Sequence, residues 1–135
     1  MQKYLQLEFV PRSADVALLV LRVWLGLAMA LLHGWGKLVN LISGSSKFPD
    51  ILGIGPTPAL ALAVFAEFFC SILLILGLWT RLAALMLLIT MSVAFFMAHG
   101  AKLSGQGNGE LAFTYLAGYV VLLLAGAGKF SVDKK

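Results

Sequence analysis

Charge is scarce in this sequence and cysteine nearly absent. Of 135 residues only 12% are charged while 61% are hydrophobic, and mean hydropathy reaches +0.96. Ordinary soluble domains carry about a quarter charged residues, so this composition excludes one. A single cysteine, Cys70, rules out an intrachain disulfide. Without a Cys-x-x-Cys pair, disulfide exchange within the chain is excluded too. Inside an apolar segment Cys70 reads as a small packing residue. Basic clusters are also missing: ten Lys and Arg are scattered between segments, giving a net charge of +4. In a membrane protein such charges serve topology and headgroup contact, so no nucleic-acid partner is expected. No strand precedes Gly105, Gly107 and Gly109, which therefore form a flexible loop and no nucleotide fingerprint. Heptad runs, tandem repeats and soluble catalytic triads are absent as well.

What the chain does have is apolar sequence in long blocks, which places it in a bilayer. The fold class expected is all-α, an integral membrane bundle of four transmembrane helices forming one domain over residues 1–135. The spans lie at about 14–38, 58–76, 81–98 and 109–126. Ser13 reads as N-cap of the first, with Asp15 in its first turn. Thr57 with Pro58 opens the second and Gly77 stops it; Thr80 caps the third and Asn108 the fourth. The first stretch is not a cleaved signal peptide, because Arg22 interrupts its apolar core and the stretch continues to about Val39. The loop from Val39 to Thr57 carries Phe48, Ile51, Leu52 and Ile54, suited to lying against the membrane surface. Lys3, Arg12, Arg81, Lys129, Lys134 and Lys135 fall on the side of both termini, against Lys37, Lys47 and Lys102 opposite. That excess puts both termini in the cytoplasm and the protein in the cell inner membrane as a multi-pass chain.

Inside these spans lone charges stand out. A bare charge at the bilayer centre costs at least ~2.5 kcal/mol, so such residues face an interior and pair. Arg22, Gly26, Met29, His33 and Lys37 follow one face of a 3.6-residue helix. Arg22 and His33 stand roughly 16 Å apart along it. On the second span Ala59, Ala63, Glu67, Cys70 and Ser71 form a face of small residues around Glu67, which lets helices approach closely. Glu67 is expected roughly 8 Å in depth from either Arg22 or His33, so that Arg22 and Glu67 form an ion pair beneath an outward funnel of His33, Lys37, His99 and Glu110. That pair is either a structural bridge fixing register or part of a site. The histidines are either structural hydrogen-bonding residues or ligands. Lys37 can anchor at the interface, Glu110 can favour a helix N-terminus, and Tyr115 and Tyr119 can pack or stack on a ring ligand. No metal is expected, because the two histidines lack a second paired set.

With these residues in place, the chain resembles the DoxX family of small bacterial and archaeal membrane proteins. The resemblance rests on RVWLGLAMALLHGWGK, Arg22 to Lys37, on AEFFCSILLILGLWTRLAA, Ala66 to Ala84, and on the closing GAGKFSVD, Gly126 to Asp133. It implies a four-helix membrane fold associated with oxidoreductase or quinone-linked subunits, and partners among soluble or membrane redox proteins. The family's polar positions map onto Arg22, His33, Lys37 and Glu67, without a settled catalytic assignment.

The expected function is a membrane redox-associated subunit binding a quinone or similar small ligand inside the bundle, an oxidoreductase subunit acting with a partner that delivers electrons. In that reading His33 and Glu67 are the catalytic candidates, exchanging protons. Arg22, Lys37, His99, Glu110 and Tyr115 are the ligand-binding ones. The competing reading is a non-enzymatic membrane anchor or assembly partner for soluble redox proteins. A small-anion transporter, drawn by Arg22, Lys37 and Lys102, is disfavoured by the lack of a broken helix or inverted repeat. The lipid-facing sides of such spans also suit a homo-oligomer.

Overall fold

The computed structural model describes residues 1–44 and 48–134. Lys47 and Lys135, counted in the charge asymmetry above, lie outside them. Among the described residues every regular element is helical. A short α1 (Gln2–Leu5) precedes α2 (Ala14–Ile42), α3 (Pro56–Leu76) and α4 (Thr80–Ala98), and α5 (Glu110–Ala125) closes the set. The helices α2, α3 and α4 are 29, 21 and 19 residues long and apolar enough to cross a membrane. The 16 residues of α5 rise about 24 Å, a turn or so short of the hydrocarbon thickness.

Local chemistry sets most of the helix ends. The Ser13 hydroxyl accepts the Val16 N–H at 3.2 Å, as an N-cap should. Nothing at Val39–Ile42 breaks a helix, so α2 runs four residues past the expected end at 38. Pro56 opens α3 ahead of Thr57, since a proline fits the first turn, where its missing N–H has no partner to lose. Before it, the Asp50 carboxylate gathers the N–H groups of Ile54 and Gly55, both at 2.9 Å. Gly77 ends α3 at φ +70, a left-handed conformation natural to glycine.

Thr80 is the first residue of α4 rather than its cap. The capping carboxylate comes from the far end of the sequence: Asp133 accepts the N–H groups of Trp79 at 2.9 Å and Thr80 at 3.0 Å. At α5, the Asn108 side-chain oxygen accepts the Glu110 N–H at 3.0 Å, from one residue before the cap position.

The helices pack in sequence order, α2 on α3, α3 on α4 and α4 on α5, and α5 returns to α2. The core between them holds Leu74, Ala84, Leu87, Tyr119 and Leu122, all fully buried. Outward the order is reversed from a soluble protein: Trp24 is 72% exposed, Leu32 75% and Leu124 77%. Such apolar surface is at rest only against acyl chains. A helical membrane bundle is therefore the architecture, as the apolar blocks require.

Three helices each contain one π-helical stretch: Ala30–Gly34 in α2, Phe65–Cys70 in α3 and Ala94–Ala98 in α4. A π-turn accommodates an extra residue and rotates everything after it by about 100° relative to an unbroken α-helix. His33 and Glu67 lie within two of these stretches, and His99 follows the third directly.

Candidate functional site

The carboxylate of Glu67 is held by Lys37, whose Nζ lies 2.6 Å from both carboxylate oxygens. Glu67 is 4% exposed, and a carboxylate so placed needs a charged partner. Gly34 makes the meeting possible. A Cβ there would sit 2.7 Å from the Glu67 carbonyl oxygen, so only glycine lets α2 pass this close to α3. One turn further along α2, the lysine stem then reaches the carboxylate.

The ion pair is set into the wall of a cleft of about 430 Å³ between α3 and α4, at the end of the bundle away from the C-terminal segment. The segment from Phe48 to Leu52 covers part of it, and Lys37, Glu67, Thr90 and His99 are its polar members. The Thr90 hydroxyl is already satisfied, donating to the Met86 carbonyl at 2.9 Å. His99 Nδ1 lies 3.0 Å from the Gly107 carbonyl oxygen, which ties the ring to the polar loop. Everything else around the cleft is apolar or aromatic. Leu62, Phe65 and Ile89 line it and are each about half exposed on the bundle's outer surface. The cleft therefore opens sideways, where acyl chains would lie.

Arg22 does not join this site, and the expected Arg22–Glu67 ion pair is not formed. The guanidinium is fully buried and donates to four backbone carbonyls. Nε reaches Ala127 at 3.0 Å, Nη1 reaches Leu74 at 2.9 Å and Ile75 at 3.2 Å, and Nη2 reaches Phe130 at 2.6 Å. Leu74 and Ile75 belong to the last turn of α3, whose carbonyls lie at the negative end of the helix dipole; Leu74 also accepts the Gly77 N–H at 3.1 Å. Asp133 is the carboxylate that attracts it electrostatically. Depth separates Arg22 from Glu67: Arg22 stands level with Leu74, seven residues and about 10 Å along α3 from Glu67.

The remaining candidates divide. His33 meets Tyr115 edge to face, ring centroids 6.0 Å apart, and Tyr115 stacks on Tyr119 at 5.9 Å. Both tyrosines are buried in the core and neither lines the cleft. Glu110 is exposed at the start of α5, outside the cleft lining. Of the funnel expected from His33, Lys37, His99 and Glu110, only Lys37 and His99 line the cleft, together with Glu67. Sequence reasoning missed Thr90, although its spacing of four from Met86 marks one helix face. It also assigned Phe48, Ile51 and Leu52 to the membrane surface, whereas they line the cleft. Among the described residues no three His, Cys, Asp or Glu side chains gather as metal donors would.

The sequence profile of the DoxX family matches residues 17–100, a stretch that holds both members of the ion pair. The chain belongs to the DoxX family. This DoxX protein is also 35% identical over 119 residues to a protein of Haemophilus influenzae (strain ATCC 51907 / DSM 11121 / KW20 / Rd) described as "Uncharacterized protein". That match covers 79% of this chain and 81% of the relative. No solved structure matches the chain. With its apolar helices, the family placement makes this DoxX chain a multi-pass membrane protein.

Proposed function

We propose that the protein binds a quinone, or a ligand of like shape and polarity, in the cleft beside Lys37 and Glu67, and serves as a membrane redox-associated subunit. The observation that supports the reading is the ion pair itself, set in the wall of a mostly apolar cleft open toward the bilayer. A ring with two carbonyl groups on a lipid tail suits such a place. Its apolar body replaces acyl contacts, and a few placed polar groups orient it. About 430 Å³ falls within the size range of small-molecule pockets.

The Lys37 ammonium has three donors and can give one to a ligand carbonyl while keeping Glu67. Glu67 accepts or returns a proton at the same point, and His99 stands at the rim with the Phe48–Leu52 cover. A bound quinone supplies the capacity to carry electrons together with protons. Those electrons come from a partner redox protein. Cell inner-membrane placement with both termini cytoplasmic is part of this proposal, supported by the excess of basic residues on the terminal side.

Purification in mild detergent followed by lipid extraction tests it. Quinone should be recovered with wild type, and added short-chain quinone should bind saturably. Glu67→Gln or Lys37→Met should weaken binding roughly tenfold or more, the scale of one charge-assisted hydrogen bond. No recovered or titratable quinone, with redox partners pulled down equally well by Glu67→Gln, would favour the anchor reading instead.

A further inference from the structure

Among the described residues three buried hydroxyls lack a hydrogen-bond partner: Thr80 Oγ1 at the first residue of α4, and, further inside the bundle, Ser71 Oγ and Tyr119 Oη. Neither Ser71 nor Tyr119 lines the cleft. Three other span hydroxyls are satisfied locally. Thr90, Ser92 and Thr114 each donate to the carbonyl four residues back, at 2.8–2.9 Å, the usual way a hydroxyl is satisfied inside a helix. Ser71 would look to the carbonyl of Glu67, but that carbonyl lies in the π-turn of α3 with Gly34 packed against it. Ser71 follows Glu67 by one turn, and the Glu67 carboxylate acts electrostatically on both Tyr119 and His33. His33 is joined to Tyr119 through the ring of Tyr115.

Buried hydroxyls without partners in native proteins are the places where internal water binds, provided several polar groups converge. We infer that Ser71 and Tyr119 hold internal water between α3 and α5, and that this water gives Glu67 a proton connection through the bundle interior. The cleft cannot serve that purpose, because its mouth faces acyl chains and its lining is apolar apart from four residues. The inference rests here on the proposed function: a carboxylate that exchanges protons with a ligand in the cleft needs a hydrated route on its other side. Only a proton moves along this route, passed between the Glu67 carboxyl, water and the two hydroxyls. Ser71 and Tyr119 are positioning residues for the water and touch no ligand in the cleft.

The test uses the full-length protein in detergent, without any added ligand, so its outcome does not depend on whether a quinone binds. Radiolytic hydroxyl-radical footprinting modifies a buried ring only where water is bound beside it. Tyr119 should be modified at least fivefold faster than Phe95, which is also a buried ring, and Ser71→Ala should abolish the difference. In parallel, Lys37→Met removes the cation that keeps the buried acid ionised, so that it is held protonated; in that background hydrogen–deuterium exchange of the Glu67 carboxyl is followed by infrared difference spectroscopy, with the band assigned by its loss in Lys37→Met/Glu67→Gln. Tyr119→Phe or Ser71→Ala should slow that exchange at least tenfold. Both are near-isosteric changes, and wild-type labelling is informative by itself. Tyr119 modified no faster than Phe95, or carboxyl exchange unchanged in both variants, overturns the inference.

Discussion

Arg22 and Glu67 are both charges buried in a membrane bundle, yet their surroundings assign them different work. Arg22 spends its donors on four carbonyls, each a neutral backbone group, and does not line the cleft. Its fork of donors matches that set, whereas the single ammonium of a lysine would not. Arg22→Lys is therefore expected to lower stability by about 3 kcal/mol or more. The change is read as a fall in apparent melting temperature in detergent, with quinone affinity retained in whatever fraction stays folded. The Lys37–Glu67 pair behaves in the opposite sense. Removing one partner leaves an uncompensated charge, while replacing both with apolar residues of similar volume is often neutral. Glu67→Leu alone should destabilise by about 3–5 kcal/mol, and Lys37→Met combined with it should recover most of that loss, measured by the same thermal assay.

At the scale of elements, the close approach of α2 to α3 at Gly34 decides whether Lys37 reaches Glu67. Gly34→Ala forces a Cβ onto the Glu67 backbone and should cost about 1–3 kcal/mol through overpacking. It should also weaken ligand binding, because the helices must part at the level of the ion pair. The α4 N-terminus offers a second test. Its cap is supplied by Asp133 across the bundle, so Asp133→Ala should lower stability by about 1–2 kcal/mol, seen as earlier unfolding of the detergent-solubilised protein. The helices themselves were legible in the sequence, since apolar blocks bounded by Ser13, proline and Gly77 leave few alternatives. The pairing of charges was not. Three π-turns, invisible to a 3.6-residue count, shift the register of each face, and Arg22 turns to carbonyls that carry no mark in the side-chain pattern. Asp133 escaped for a related reason: a cap contributed from 53 residues away has no local spacing to betray it.

Taken whole, the molecule divides along its axis. At the end where the chain terminates, the segment after α5 is fastened by Arg22 and by backbone bonds from Val132 to Leu76 at 3.1 Å and from Asp133 to Gly77 at 2.9 Å. Lys129 N–H adds a bond to the Asp15 carboxylate at 3.0 Å. This end is a closed floor that holds four helix ends together. At the other end the bundle opens as a cleft with one ion pair in its wall. The most direct measurement is a titration of detergent-solubilised wild type and the Lys37→Met/Glu67→Leu double variant with a short-chain quinone, each at its verified folded concentration. Saturable binding by wild type, weakened at least tenfold in a double variant of near-native melting temperature, is the predicted result. Equal affinity in the two proteins, or no binding by wild type, would contradict the assignment of this ion pair to a ligand site.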